Sequence, residues 1–429
     1  MKYSRFNNVL RAEDYLVHNT LADTVLKVKN PALKQTIDDL ASGKPFTYNK
    51  NNDFHKTLKD LNMLDEDSEN EMNTLNSLYF EFEHRSELGV VMLVTRKCNF
   101  RCPYCYEEYI DSDMSPQVFD DTRNFILNRI KQDHFKVVYV SFFGGEPSLM
   151  SKEIIAFMEQ LLKENDELPE PAKIYGVITT NGYLLTPDVI DKFVENHITR
   201  YQITVDGLEE SHNSSRYLIG KQGTWKQIIS NLQYFKQVDS PNLNVLIRSN
   251  ITPAIYSEID EWLAFLNDNF NQYPYRFHFE TAKDFGHMND KSFGLLTDES
   301  AVLMDIMDRA KKYKLPLEIV GFHTKPFSMV CYAARQFTYI VDYDGGVKKC
   351  TSSALDEPYN CIGKLTSEGL DIDFKKSAQW TSYDLGEPCK SCPILALCYM
   401  RKCPVGRRTY QQCNLLIDGY WKGLEYFYL

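Results

Sequence analysis

At 429 residues the chain is too long for one ordinary core, and two or three domains are expected. A hydrophobic share of 43% with 25% charged residues reads as soluble and globular, and no run approaches the ~20 apolar residues of a membrane span. The net charge of −11 excludes the basic footprint of a general nucleic-acid binder. The first residues, MKYSRFNNVLRAEDYL, hold no apolar signal core and no small-residue cleavage site, so a cytoplasmic chain is expected.

Residues 1–88 read as a separate small unit. FNNVLRAEDYLVHNTLADTVLKV alternates apolar and polar residues around turn-like breaks, the pattern of a hairpin or short sheet. PALKQTIDDLASG carries a Pro near its start, helical apolar spacing and a closing Gly, so it predicts a helix. DFHKTLKDLNML predicts another. The acidic run Asp65, Glu66, Asp67, Glu69 and Glu71 predicts a solvated loop or helix start. Strands with two or three short helices in this length resemble a winged-helix-type module.

From residue 89 to 282 the rhythm becomes strand and helix in turn. Apolar runs at 89–95, 136–143, 172–180, 200–207, 243–252 and 275–281 are rich in Val, Ile, Tyr and Phe. Amphipathic stretches at 115–132, 151–164, 187–196, 224–236 and 256–269 separate them. Such alternation predicts an α/β fold of parallel strands joined by helical crossovers, as an open sheet or a partial barrel of six units. Chemistry in such folds gathers at the carboxyl ends of the strands. Residues 283–330 read as a connector with helical patterning, and 331–429 as a cysteine-dense, turn-rich tail whose folding depends on bound metal.

The eleven cysteines are not scattered. Three lie within Cys98–Cys105 and the other eight beyond residue 330. Clustered thiols in a reducing compartment more often bind metal or do chemistry than form disulfides. The segment TRKCNFRCPYCYEEY places Cys98, Cys102 and Cys105 on the loop after the first strand of the alternating region. Thiolates are the usual ligands of iron–sulfur clusters. Three thiolates leave one position open, as catalytic metals require and structural metals do not. The alternative is a zinc knuckle with a distant fourth ligand. A second segment, FFGGEPSL, ends the next strand with Gly144, Gly145, Glu146 and Pro147; the two glycines permit close backbone approach and the carboxylate suits an ammonium.

CNFRCPYC, with its C-x3-C-x2-C spacing and an aromatic before the last cysteine, resembles the radical S-adenosylmethionine (radical SAM) enzymes. The resemblance implies a 4Fe–4S cluster on Cys98, Cys102 and Cys105, whose fourth iron is chelated by the amino and carboxylate groups of SAM. It implies that Tyr104 lies beside the adenine and that Gly144, Gly145, Glu146 and Pro147 form the GGEP motif for the SAM amino group. TTNGYLLT and ITVDGLEESHNSSR are similar to family strand-end segments, which makes Thr204 and Arg216 candidates for the SAM ribose or carboxylate, with Asn181 nearby.

In the tail, thirteen residues separate Cys331 from Gly345 and four separate Gly345 from Cys350; Cys389, Cys392, Cys398, Cys403 and Cys413 follow. This resembles the SPASM extension of radical SAM enzymes that modify peptides and proteins, apart from four residues instead of three between Cys398 and Cys403. The resemblance implies two auxiliary 4Fe–4S clusters, three clusters in all. Cys331, Cys350 and Cys403 would serve one, with either Cys361 as its remaining ligand or a position open to a substrate thiolate or backbone; Cys389, Cys392, Cys398 and Cys413 would serve the other. The alternative for the tail is a pair of zinc ribbons. Arg401, Lys402, Arg407 and Arg408 would raise a cluster's potential or keep a loop soluble.

The expected architecture is thus a partial (β/α)6 barrel with an N-terminal winged-helix-like module and a C-terminal SPASM domain. The expected activity is that of a peptide maturase forming a thioether or carbon–carbon crosslink. Its partners would be a precursor peptide and an external one-electron donor such as flavodoxin or ferredoxin, with no nucleic acid and no membrane. A second reading is a sulfatase-type formylglycine maturase, in which an Asp base follows the cysteine that here is Cys350; this chain has Thr351 there. A non-catalytic electron carrier or zinc protein stands further off, having no use for the GGEP segment. His278, Glu280, His323 and Asp284 read as structural.

Overall fold

The computed structural model describes residues 1–66, 68–284, 290, 293–319, 322–352, 355–382, 387–399, 404–405 and 411–429. It holds two compact units. The first gathers Met1–Arg85, Ile319–Arg335 and Ser382–Leu429; the second gathers Ser86–Glu318 and Gln336–Thr381.

In the first unit, β1 (Lys2–Tyr3) pairs with β5 (Leu64–Asp65), and β2 (Asn7–Arg11), β3 (Tyr15–Asn19) and β4 (Thr24–Val28) form an antiparallel sheet. The expected hairpin or short sheet is a three-stranded meander. The helix Pro31–Ala41 begins where the Asn30 side chain accepts the Ala32 N–H and ends before Gly43, which takes φ +76°. The helix Asp53–Asp60 is capped likewise by Asn52. Val17, Val28, Ile37, Leu40, Leu58 and Met63 fill the space between sheet and helices. The acidic run does open a helix, Ser68–Glu83, but Glu71 is buried. Its carboxylate accepts from the Ser4 hydroxyl and the Arg5 N–H, partners more than sixty residues away in sequence.

His18, on β3, is fully buried with Nδ1 2.8 Å from the Tyr420 hydroxyl. Burial lowers its pKa to about 4. The unfolded imidazole takes up its proton near pH 6.5, so stability is fully present above that value and is lost as pH falls toward 4. This group is expected to cost about 2 kcal/mol between pH 7 and pH 5. The urea midpoint of the full chain at the two pH values checks it, and His18→Gln is expected to flatten the dependence.

The second unit is built on β6 (Glu87–Thr95), β7 (Val137–Gly144), β8 (Lys173–Thr180), β9 (Ile198–Thr204), β10 (Asn244–Ile251) and β11 (Tyr275–Thr281), each parallel to the next. These are the six apolar runs of the sequence. Helices Pro116–Asp133, Ser151–Asp166, Pro187–Glu195, Trp225–Tyr234 and Ile259–Phe270 lie on the crossovers. On β7, Val138, Val140 and Phe142 are buried while the residues between them are half-buried, the alternation of a pleated strand. Each such side chain contributes roughly 1.5–3 kcal/mol by leaving water.

The sheet does not stop at β6. β12 (Thr338–Val341) adds to it in parallel, Thr338 opposite Gly89, and β13 (Gly346–Lys348), β14 (Cys361–Thr366) and β15 (Gly369–Ile372) extend it in antiparallel order. Ten strands result, in the order β11-β10-β9-β8-β7-β6-β12-β13-β14-β15. In this part of the tail Ile340, Val341, Val347, Ile362 and Leu365 are buried. Among the described residues, no helix is long and apolar enough to cross a membrane.

Candidate functional site

At the carboxyl ends of β6 to β11 lies a cavity of about 350 Å³. Cys98, Cys102, Cys105, Tyr104, Gly144, Gly145, Glu146, Asn181, Thr204 and Arg216 all line it. The structure thus brings together every residue assigned by resemblance to the SAM site except Pro147, which is buried at the start of a short turn, Pro147–Met150, capped by Glu146.

The cysteine loop and the glycine pair are built against each other. Gly145 N–H donates to Thr95 O at 3.0 Å, and Glu146 N–H to Lys97 O at 2.8 Å. Gly144 takes φ +114°. A Cβ there would lie 2.2 Å from Thr95 O, and one on Gly145 would lie 2.3 Å from Lys97 O. The glycines therefore serve close backbone contact with this chain's own loop.

The Glu146 carboxylate accepts four hydrogen bonds. Oε1 takes the Ser148 N–H (2.9 Å), the Ser148 hydroxyl (2.5 Å) and the Thr180 hydroxyl (2.6 Å); Oε2 takes the Asn181 N–H (2.6 Å). It ties β7 to β8, and Oε2 keeps one lone pair for an ammonium. Asn181 in turn donates its amide to Asn99 Oδ1 in the cysteine loop at 2.8 Å.

Burial raises the pKa of all three loop thiols, to about 12 for Cys105. Thiols in such surroundings become thiolates when a metal takes the place of their protons. Among the described residues no three His, Cys, Asp or Glu side chains converge on a single-ion site; the three thiols instead share the walls of one cavity. Soft donors around a cavity that also holds buried polar atoms without partners, Arg216 Nε and Thr281 Oγ1, fit an iron–sulfur cluster with a polar co-ligand.

Some polar residues at the site were given no role by the sequence. Asp206 is fully buried and accepts from the Tyr104 hydroxyl and, at 2.8 Å, from the Asn250 N–H. Its signal was its place in the strand-end segment TVDG. Glu107, two residues after Cys105, lines the cavity, and burial lifts its pKa to about 7. Glu280, read from sequence as structural, also lines it, 2.9 Å from Lys283 Nζ. His278 Nδ1 lies 2.9 Å from Glu318 O.

The tail cysteines divide between the units. Cys331, Cys389, Cys392, Cys398 and Cys413 belong to the first, with Cys398 buried among Leu16, Leu397, Tyr420 and Leu424. Cys350 and Cys361 belong to the second. Asn360 clamps Cys350 through bonds to its N–H (2.9 Å) and carbonyl (2.8 Å), and the Tyr106 hydroxyl donates to Thr351 O at 3.1 Å. The Cys350 thiol is buried, whereas Cys361 is exposed on β14. Cys403 and the basic residues Arg401, Lys402, Arg407 and Arg408 lie outside the described residues.

Comparison with known proteins agrees with this geometry. Residues 92–267 match the radical SAM superfamily. A cysteine-type anaerobic sulfatase-maturating enzyme of Clostridium novyi is 24% identical over 327 residues, covering 70% of this chain and 83% of that protein. The structure of anSMEcpe with bound AdoMet and Cp18Cys peptide superposes with a TM-score of 0.58 at 18% identity, covering 79% of this chain and 96% of that one. SuiB of Streptococcus suis bound to precursor peptide SuiA gives a TM-score of 0.55 at 16% identity, covering 98% of each chain. At such identities the two structures speak for the fold.

Proposed function

Because this chain is an enzyme with a radical SAM domain over residues 92–267, we propose that it matures a ribosomally made peptide, installing a thioether or carbon–carbon crosslink. The observation that carries the reading is the single cavity that three thiols share with the GGEP segment and Arg216. Cys98, Cys102 and Cys105 would hold a 4Fe–4S cluster, which would supply the one-electron reduction of SAM that hydrogen-atom abstraction from the substrate needs.

The chain's own residues set the stage for that step. The backbone contacts of Gly144 and Gly145 fix the cysteine loop, and Glu146 offers its remaining acceptor position to the SAM ammonium. Arg216 offers a guanidinium to the SAM carboxylate, and Thr204 a hydroxyl to the ribose. Buried strand ends exclude water from a radical that would otherwise react with bulk surroundings. The tail cysteines would hold two auxiliary clusters, which would supply an acceptor for the second electron. Residues 1–88 act as a winged-helix-like module that grips the precursor by adding its strand to the β2-β3-β4 sheet. Electrons enter from a flavodoxin- or ferredoxin-type donor.

A formylglycine maturase is the second reading, favoured by the sulfatase-maturating relative; Thr351 in place of an Asp base counts against it. The deciding experiment is anaerobic reconstitution with iron and sulfide, followed by dithionite and SAM. Release of 5′-deoxyadenosine with iron near the roughly twelve atoms of three cubane clusters is expected. No release, with iron far below that, rejects the reading. Adding a short peptide encoded beside the gene and finding a product two hydrogens lighter, without aldehyde, separates crosslinking from formylglycine formation.

A further inference from the structure

We infer that Asp206 is a positioning residue of the SAM site: acting through the Tyr104 hydroxyl, it sets how Arg216 and the Tyr104 ring present themselves to the cofactor. The inference rests on the reading above and adds a residue to it. Asp206 follows β9 and is fully buried. Its own N–H donates to His212 Nδ1 at 3.2 Å, and Oδ1 accepts the Asn250 N–H at 2.8 Å, so the carboxylate is fixed from two sides. Oδ2 accepts the Tyr104 hydroxyl. A carboxylate can only accept, so the phenol must give its proton to Asp206 and turn a lone pair outward.

That lone pair receives Arg216 Nη1 at 2.8 Å, while Nη1 stays 3.8 Å from Asp206 Oδ2. The order of donors is therefore forced: guanidinium to phenol, phenol to carboxylate. Arg216 is 7% exposed, and its Nε, buried without a partner, belongs to a side chain lining the cavity. A guanidinium held by one nitrogen and left unsatisfied at another is prepared for an anionic ligand. Burial raises the Asp206 carboxyl, and the Arg216 charge opposes that rise. The relay joins the cysteine loop to the end of β9 and to the residue after the helix Glu209–Ser215.

The test uses the full-length enzyme, anaerobically reconstituted and reduced, with SAM as the titrated ligand and 5′-deoxyadenosine as the product. Asp206→Asn puts an amide donor against the Tyr104 hydroxyl, which then faces donors on both sides. KM for SAM is expected to rise about tenfold with kcat lowered by less than about threefold. The electron paramagnetic resonance spectrum of the reduced cluster without SAM is expected to stay unchanged, and its SAM-induced shift to need about tenfold more SAM. Tyr104→Phe, which keeps the ring, carries the test should Asp206→Asn fail to fold. It is expected to behave alike, and the double variant to be no worse than the worse single one. KM within about twofold of wild type in both variants, strictly additive effects, or a kcat loss at unchanged KM overturns the inference. Wild-type enzyme that releases no 5′-deoxyadenosine overturns the functional reading and the inference with it.

Discussion

Gly145→Ala is expected to lower the rate of SAM cleavage at least about a hundredfold, because a misplacement on the order of 1 Å at a reacting centre has that effect. The cause is steric. The new methyl would stand 2.3 Å from Lys97 O, 2.7 Å from Lys97 C and 2.9 Å from Arg96 O, all backbone atoms that cannot rotate away. Relief requires the end of β7 to withdraw from the cysteine loop, which breaks the Glu146 N–H bond to Lys97 O. Cys98 follows Lys97 directly, so the strain falls on the first cluster ligand. Gly144→Ala adds a positive φ to the same kind of clash, 2.2 Å from Thr95 O. Release of 5′-deoxyadenosine by the reconstituted variant, with iron measured beside it, is the check. Thermal unfolding of the apo chain is expected to show a loss of about 1–3 kcal/mol from overpacking. Activity within about tenfold of wild type would mean that the loop and the glycine pair move independently.

Much of this site was legible in the sequence, and the reasons are physical. Six strands could be read because each is a short apolar run rich in Val, Ile, Tyr and Phe set between longer amphipathic stretches. The three loop cysteines and the GGEP segment could be read because their residue types serve few other purposes at that spacing. The tail was harder. β12 is four residues long and exists because β6 offers it an edge, with Val341 opposite Met92; no local pattern announces a partner some 250 residues away. Glu71 was hidden for the same reason, since the donors that let it be buried, Ser4 and Arg5, come just after β1, more than sixty residues earlier in the sequence. Asp206 stood inside a quoted motif, but only the fold shows that its carboxylate meets Tyr104. What sequence misses here is polar partnership across distance.

Arg96→Met is expected to destabilise the second unit by about 3 kcal/mol, the cost of breaking a buried ion pair from one side. Arg96 is 1% exposed, two residues before Cys98. Its Nη2 contacts both Asp356 carboxylate oxygens, at 3.1 and 2.9 Å, and its Nη1 lies 3.5 Å from Asp342, which is 5% exposed at the side chain. Lys348 also reaches Asp342, at 2.7 Å. Burial works against the Arg96 charge, and the two aspartates outweigh it, so its pKa is raised. These four residues bolt the end of β6 to the β12–β14 segment that carries Cys350. Removing the guanidinium leaves two carboxylates to one lysine, and of the two only Asp356 is substantially exposed. Arg96→Lys is expected to recover less than half of the loss, because one ammonium cannot serve Asp356 and Asp342 with two separate nitrogens as the guanidinium does. Asp356→Asn, at a carboxylate 35% exposed, is expected to cost about 1 kcal/mol or less. The combined Arg96→Met and Asp356→Asn variant is expected to lose less than the sum, since the second change removes a charge the first left unpaired. Denaturant midpoints of the four proteins measure the coupling. Full additivity would show that the cluster is a set of separate surface pairs, and that Cys350 is held to the sheet by the strand pairing alone.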